Sequence, residues 1–470
     1  MRTLSQPTSN LLPRLDRLPW STFHTYVVLA LGVGWTLDAF EINMIGSVLG
    51  MMTKEWHLTP GQGAWVVSTM VFGILVGALL FGYLADRFGR KKMFLFTLFW
   101  YAGFSVLSMF SWNLTSFLVF RFLTGVGLGG EYSAVTATMV EFIPKRARGK
   151  VDALILAGFP VGAVLAALSA KFFIAELPAD IGWRVGFGLA GLLAFAALWA
   201  RKVVPESPRW LMLMGRHQEA TQIVEQIERR VVAETAKPLP PVSDQLEVDA
   251  PHGGFFAEIR ELFNRFGSRV ALASALNFSQ ASVVYGVMGL LALVILPLVK
   301  IPPQDMPNYY LIGNIAAIGG ALLAAFLLDR AGRRGTLFAA YSITALAIVY
   351  LFFASSPVQV LIGYSLVQFG VTWAYISAYV LSAEVLPTRM RATGLGISVA
   401  AGRIGAFFAP LILSQMFAMY HTAGAPLLAL LLMVLPGPIA ALVWWMRGFE
   451  SRHLSLEQTG TAGAFASQQA

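Results

Sequence analysis

The chain has 470 residues, of which 57% are hydrophobic and 13% charged, and its mean hydropathy is +0.66. Soluble globular domains carry about 25% charged residues, so water-soluble enzymes, secreted proteins and nucleic-acid binders are excluded as readings of the whole chain. No cysteine is present, which removes disulfides, thiol nucleophiles and cysteine-ligated metals.

Residues 1–22 form a charged N-terminal arm, expected to be cytoplasmic. A spanning helix needs about 20 apolar residues, and on that measure the sequence predicts twelve spans. They fall at 23–50, 63–85, 93–111, 115–140, 151–174, 184–204, 270–299, 309–329, 335–354, 358–383, 393–418 and 425–446. The first is too long for a signal-peptide core and follows a charged arm, so no cleavage is expected. Residues 23–204 therefore make one six-helix bundle and residues 270–446 a second. Between them, 205–269 is a polar central loop in which Leu211, Met214, Ala220, Ile223, Val224 and Ile227 recur at helical spacing over 208–233. A proline-rich linker follows at 237–241, and a second amphipathic helix over 255–266 leads into span seven. The tail, 447–470, is small and polar and reads as disordered.

The formal charge of +9 is a matter of distribution. With twelve spans, 28 of the 34 Lys and Arg fall on one side, in the arm, the central loop, the tail and four interhelical turns. Lys54, Lys171, Arg184 and Lys300 fall on the other side, and Arg121 and Arg403 lie within spans. This is the positive-inside pattern. It predicts that both termini and the central loop are cytoplasmic and that the basic excess sets topology, with no nucleic-acid partner.

An internal repeat organises the chain. Asp86-Arg-Phe-Gly-Arg-Lys91 after span two recurs as Asp329-Arg-Ala-Gly-Arg-Arg334 after span eight. Glu141-Phe-Ile-Pro-Lys-Arg-Ala-Arg148 after span four recurs as Glu384-Val-Leu-Pro-Thr-Arg-Met-Arg391 after span ten. The offset of 243 persists at Gly162/Gly405 and Ala163/Ala406. Two halves of the same orientation are implied, with a site between them.

The stretch Gly82-Tyr-Leu-Ala-Asp-Arg-Phe-Gly-Arg-Lys-Lys92 resembles the signature loop of the major facilitator superfamily. Pro205-Glu-Ser-Pro-Arg-Trp-Leu211 and the segment 384–394 resemble its sugar-porter-like branch. The arm segment Leu15-Asp-Arg-Leu-Pro-Trp-Ser-Thr-Phe-His24, followed by Trp35-Thr-Leu-Asp-Ala-Phe-Glu41, is similar to metabolite:proton symporters related to niacin permeases, aromatic-acid transporters and synaptic-vesicle-type proteins. The resemblance spans residues 15–446. It implies an all-α membrane protein with twelve transmembrane helices in two pseudo-symmetric six-helix bundles. It also implies a monomer in the cell inner membrane that works on a small molecule without a cofactor or metal.

Candidate residues follow from charge and depth. Asp86, Arg90, Glu141 and Arg148, with Asp329, Arg333, Glu384 and Arg391, sit at helix ends where carboxylates and guanidinium groups can form breakable charge-assisted networks; they are assigned to a cytoplasmic gate. Charges inside spans are costly. Asp38 and Glu41 share a helix face, and opposite helix directions bring them to a depth similar to that of Arg121. Asp38 is the expected proton site with Arg121 as its partner, and Glu41 or Glu131 the second carrier. Arg403 offers a planar fork for a substrate carboxylate. Asn277, Gln280, Tyr285, Gln368, Trp373, Tyr375 and Tyr379 are the residues expected to shape the pocket around a planar ring. His24 reads as a cap at the membrane edge.

The span-seven stretch Asn277-Phe-Ser-Gln-Ala-Ser-Val-Val-Tyr285 is a poor match to the hydroxyl-reading pattern of sugar porters. Two membrane arginines and few amides fit an organic acid better than a sugar. The expected function is proton-coupled import of a small organic carboxylate, aromatic acids included, by alternating access. The alternatives are a sugar or polyol symporter, a proton-driven drug exporter, or a transporter-like receptor. No nucleophile triad, histidine pair or phosphate loop points to an enzyme. The run Gly125-Val-Gly-Leu-Gly-Gly130 lies inside a span and reads as a surface for close helix approach.

Overall fold

The computed structural model describes residues 8–9, 11–144, 147, 151, 154–201, 205–235, 239–242, 246–247, 255–386 and 391–448. The helices of spans one to six run Thr22–Trp56, Pro60–Phe88, Arg90–Met109, Leu114–Phe142, Gly158–Glu176 and Ala179–Arg201. Those of the second half run Phe255–Leu290, Met306–Arg330, Arg333–Phe353, Pro357–Val385 and Arg391–Tyr420, and span twelve comprises Gly424–Val434 and Pro436–Arg447. Ten of the described helices are long and apolar enough to cross a membrane. By alternation of the helices, the described residues of the arm, of the central loop and of the 86–91 and 329–334 turns lie at the same end of the spans, called here the basic face.

Local sequence explains where the helices begin and turn. Spans two and ten start with the same device: Thr59 and Ser356 cap their helices, Pro60 and Pro357 occupy the first turn, and Gln62 and Gln359 complete capping boxes. Gly89 and Gly332, themselves 243 residues apart, take positive φ of 105° and 83° at the two-to-three and eight-to-nine turns. A side chain is strained in that region of φ, so the repeat persists in the backbone.

One expectation for the central loop is corrected. The amphipathic stretch 208–233 is two helices, Pro208–Leu213 and His217–Thr235, because Gly215 turns the chain at φ 74°. The helix over 255–266 ends at a kink, where Phe266 takes φ −130° and ψ 18° within Phe255–Leu290, and span seven runs on from there into a π-helical segment, Leu291–Ile295. The arm is clamped to the longer loop helix. Arg14 and Arg17 reach the Glu228 carboxylate at 2.5 and 2.7 Å, and Arg17 also donates to the Pro240 carbonyl. Burial pushes the Glu228 carboxyl up, but the hydrogen bonds from the two arginines outweigh it and hold it below the usual carboxylate range.

Glycines set how closely the spans approach. A Cβ on Gly73, Gly77, Gly125 or Gly129 would run into backbone of the facing helix, which locks spans two and four together at main-chain contact. The Gly125–Gly130 run thus serves packing, as its position inside a span implies. Gly162 packs on Thr36 and Ala39 of span one, and its repeat partner Gly405 packs on Phe278 and Ser282 of span seven.

The halves meet through paired hydrogen bonds as well. Ser68 of span two donates to the Phe407 carbonyl of span eleven at 2.8 Å. Asn314 of span eight donates to the Ala163 carbonyl of span five at 3.2 Å. Each half therefore sends a side chain from its second helix to a carbonyl in the fifth helix of the other. The apolar core shows the same arrangement. On the side away from the basic face, one cluster crosses both halves and includes Met44, Val48, Leu49, Met288, Leu291, Met306 and Tyr310. Toward the basic face the core divides, with Phe23, Phe94, Phe142 and Trp210 in one cluster and Leu262, Tyr341, Trp373 and Trp444 in another. Among the described residues, the buried core is continuous across the halves at one end, called here the sealed end, and divided between them at the other.

The glycine packing is testable by melting temperature in detergent. Gly77→Ala drives a methyl into the Val126 main chain and is expected to destabilise by about 1–3 kcal/mol. Gly103→Ala, in span three, meets nothing within 4 Å and should be neutral or stabilising by up to about 1 kcal/mol.

Candidate functional site

Among the described residues of the first half, the carboxyl groups of Asp38 and Glu41 on span one and of Glu131 on span four, and the guanidinium of Arg121 on span four, are almost completely buried. A charge removed from water needs a counter-charge and hydrogen bonds, and the structure supplies both for Arg121. Its guanidinium is ion-paired to Glu41 Oε1. It also lies over the Phe187 ring at 4.6 Å and against the Met70 sulfur at 2.7 Å. Glu41 Oε2 is 2.6 Å from the Ser105 hydroxyl, which in turn is 3.1 Å from the Phe187 carbonyl.

The partner expected for Arg121 was Asp38, and here the structure differs. Arg121 is seven residues into span four from the sealed end. Glu41 is three residues nearer that end than Asp38, or about 4.5 Å along the helix, and so reaches the guanidinium. Glu131, ten residues further along span four, lies about 15 Å of helix rise from Arg121 toward the basic face. Proximity in sequence placed Asp38 and Glu41 on one face, but depth chose between them.

An aromatic column supports the pair from the sealed end. Phe187 meets Phe117 edge-on at 5.4 Å, and Phe117 meets Trp183 at 5.6 Å and Trp56 at 5.9 Å. Trp183 donates to Glu55 at 2.5 Å, and Arg184 bridges the same carboxylate at 3.1 Å. Ser105, Phe187, Met70 and this column escaped the sequence reading, because an aromatic or a serine in an apolar span carries no signal of its own.

In the second half Arg403 is half-buried, and its Nη1 donates to the Tyr285 hydroxyl at 3.3 Å. Flanking glycines place it there. Gly402 backs onto the Asn277 main chain and Gly405 onto Phe278 and Ser282, so span eleven lies close on span seven. Tyr285 accepts from Arg403 and keeps its own proton to donate, so guanidinium and phenol together present donors suited to a carboxylate.

The remaining expected pocket residues divide. Asn277 spends its amide on the Ala273 carbonyl of its own helix, while Gln280 is buried beside it. Gln368 donates to Asn314 at 2.9 Å, joining an inter-half contact that the sequence reading missed. Tyr375 faces Phe159 across the halves at 6.4 Å and Tyr379 at 6.5 Å. Trp373 belongs instead to the second-half core, edge-on to Phe369. His24 is buried, with Nδ1 2.8 Å from the hydroxyl of Ser21 at the start of span one.

Among the gate residues, Arg333 pairs with Glu384 at 3.2 Å and donates to the Leu328 carbonyl, joining spans eight, nine and ten within one half. Arg90 opens span three at the turn where Glu206 receives the Lys91 amide at 3.0 Å. Glu206 belongs to the Pro205–Leu211 motif, which therefore docks on the 82–92 loop. These described contacts tie neighbours within a half. Arg148 lies outside the described residues, as do the side chains of Asp86, Glu141, Asp329 and Arg391.

The chain matches the sugar (and other) transporter family over residues 27–460. It belongs to that family, a branch of the major facilitator superfamily. The niacin transporter NiaP of Acinetobacter baylyi is 32% identical, over 96% of this chain and 100% of the relative. A putative niacin/nicotinamide transporter of Bacillus subtilis is 30% identical over 82% of this chain and 87% of its own. The inner membrane metabolite transport protein YgcS of Escherichia coli is 29% identical over 96% and 97%. Among solved structures, a partially occluded inward-open conformation of the E. coli xylose transporter XylE superposes with a TM-score of 0.71 at 19% identity. It covers 93% of this chain and 100% of that one, which establishes the major facilitator fold. The protein is a multi-pass membrane transporter and not an enzyme.

The buried pair can be tested by a double-mutant cycle in chemical or thermal unfolding. Arg121→Gln strands the Glu41 carboxylate and is expected to cost about 3–5 kcal/mol. Adding Glu41→Gln removes the stranded charge and should recover part of that loss, giving a coupling energy above about 1 kcal/mol. Additive effects would show that the two side chains are not paired.

Proposed function

We propose that this transporter imports a small organic carboxylate, coupled to protons, by alternating access across the cell inner membrane. The observation that carries the reading is the Glu41–Arg121 pair, a carboxylate whose counter-ion is sealed in the same half. A proton on Glu41 leaves the Arg121 charge uncompensated, and an uncompensated buried charge is unstable by several kcal/mol. The two protonation states therefore favour different packings of span one against span four, which is what coupling to a gradient requires.

Substrate class rests on the second half. Arg403 and the Tyr285 hydroxyl offer convergent donors on spans eleven and seven, and Tyr375 and Phe159 bring aromatic faces from both halves. A ring bearing a carboxylate satisfies both features. Relatives bearing the names niacin and niacin/nicotinamide transporter agree with such a molecule. The excess of Lys and Arg on the basic face orients both termini and the central loop toward the cytoplasm. With the core continuous at the far end and divided at the basic face, the conformation is inward-facing. The protein is proposed to work as a monomer, since each chain holds both halves of the site.

A sugar is the second reading, favoured by the Gln368–Asn314 amide pair, whose type reads hydroxyl groups. Uptake into proteoliposomes under an imposed proton gradient separates the two. Nicotinate or a hydroxybenzoate should accumulate and hexoses should not, and Arg403→Lys should weaken acid binding by about tenfold. Accumulation of hexoses without any acid would overturn the carboxylate reading. Unaltered acid affinity in the Arg403→Lys variant would remove Arg403 from the site.

A further inference from the structure

Ser105 is placed where one hydroxyl proton has two possible acceptors. Its Oγ is 2.6 Å from Glu41 Oε2 and 3.1 Å from the Phe187 backbone carbonyl, and its side chain is buried. A serine hydroxyl has one proton and two acceptor lone pairs, so it cannot donate along both contacts together. The Phe187 carbonyl only accepts. When Ser105 donates to it, the short contact to Glu41 is a hydrogen bond only if Glu41 Oε2 carries the proton. When Glu41 is ionised, Ser105 turns its proton to the carboxylate, and the carbonyl keeps its ordinary helical hydrogen bond within span six.

We propose that Ser105 is a positioning residue that follows the proton on Glu41: its hydroxyl rotates between the Glu41 carboxyl and the Phe187 carbonyl and keeps both states of Glu41 hydrogen-bonded. The inference rests on the reading of Glu41 as a proton site. The serine proton never leaves its oxygen, and the only proton gained is the one on Glu41. An isolated buried carboxyl would lose a hydrogen-bond partner in one state or the other, which is costly in a desolvated site; Ser105 removes that penalty from the cycle.

The arrangement also links the proton to Arg121. The residue whose carbonyl receives the Ser105 hydroxyl is the one whose ring seats the Arg121 guanidinium. Protonation of Glu41 thus changes two contacts of one small unit: Arg121 loses its counter-charge, and Phe187 gains a hydrogen bond from span three. Other buried titratable groups on the same three spans are Asp38 on span one, Glu131 further along span four and the phenol of Tyr101 on span three. Beyond Phe187 lies the Glu55–Arg184 pair. None of these donates to Glu41 Oε2 in a described contact, whereas Ser105 does.

Infrared spectroscopy of the purified full-length protein during an acid titration tests the proposal without a substrate. The wild type should develop a protonated-carboxyl C=O stretch that is missing in Glu41→Gln. In Ser105→Ala that stretch should move to higher wavenumber, because the acid loses its acceptor. Ser105→Thr, which keeps the hydroxyl, should restore the wild-type position, and Ser105→Cys, a weaker partner of similar size, should fall between and serves if the alanine variant does not fold. A Glu41 stretch unmoved in the alanine and cysteine variants would overturn the role of Ser105 while leaving the proton site standing. A wild type with no stretch assignable to Glu41 would overturn both.

Discussion

A guanidinium fully enclosed in a bilayer-spanning bundle needs a counter-charge and hydrogen bonds, and the first half of this transporter is built around that requirement. Arg121 is fully enclosed, so its charge must be met within the protein, and Glu41 meets it. Everything near the pair serves that contact. Span four is pressed onto span two by glycines, which fixes the depth of Arg121, and Phe187 lies under the guanidinium. The aromatic column above Phe187 ties this arrangement to Glu55 and Arg184 at the sealed end. A pair held this firmly on all sides changes partner only when its charge changes, and on the proposed reading a proton on Glu41 makes that change.

The second half repeats the architecture with different chemistry. Gly405 presses span eleven onto span seven as Gly162 presses span five onto span one. Arg403, however, is half-buried and donates to the Tyr285 phenol. One arginine is therefore fully enclosed with a carboxylate, and the other is partly exposed beside a phenol. On this account the division of labour between proton and substrate is a division between halves. The hydrogen bonds from Ser68 to Phe407 and from Asn314 to Ala163 join the halves at related positions. Each is made to a carbonyl already engaged in its own helix, so each can part during a rocking motion at modest cost.

Much of the fold was legible in the sequence because it is carried by patterns of composition. Apolar runs marked the spans, and the offset of 243 marked the halves, down to Gly89 and Gly332 at matching turns. The site was legible only as a set of costly residues. Asp38 and Glu41 are equivalent as letters on one helix face, and only the relative depth of spans one and four separates them. Trp373 was indistinguishable from Tyr375 by type, yet one faces the second-half core and the other faces Phe159 across the halves. Ser105 and Asn314 were invisible because their importance comes entirely from what other spans bring beside them. The Gly215 turn was missed because hydrophobic periodicity continues across it.

The account stands on Glu41 carrying the coupled proton, and the split between accumulation and exchange in Glu41→Gln measures that most directly. In proteoliposomes the variant should lose gradient-driven accumulation of nicotinate while retaining nicotinate counterflow, because exchange needs the substrate site and the rocking motion but no proton cycle. Accumulation at the wild-type level by folded Glu41→Gln protein would contradict it.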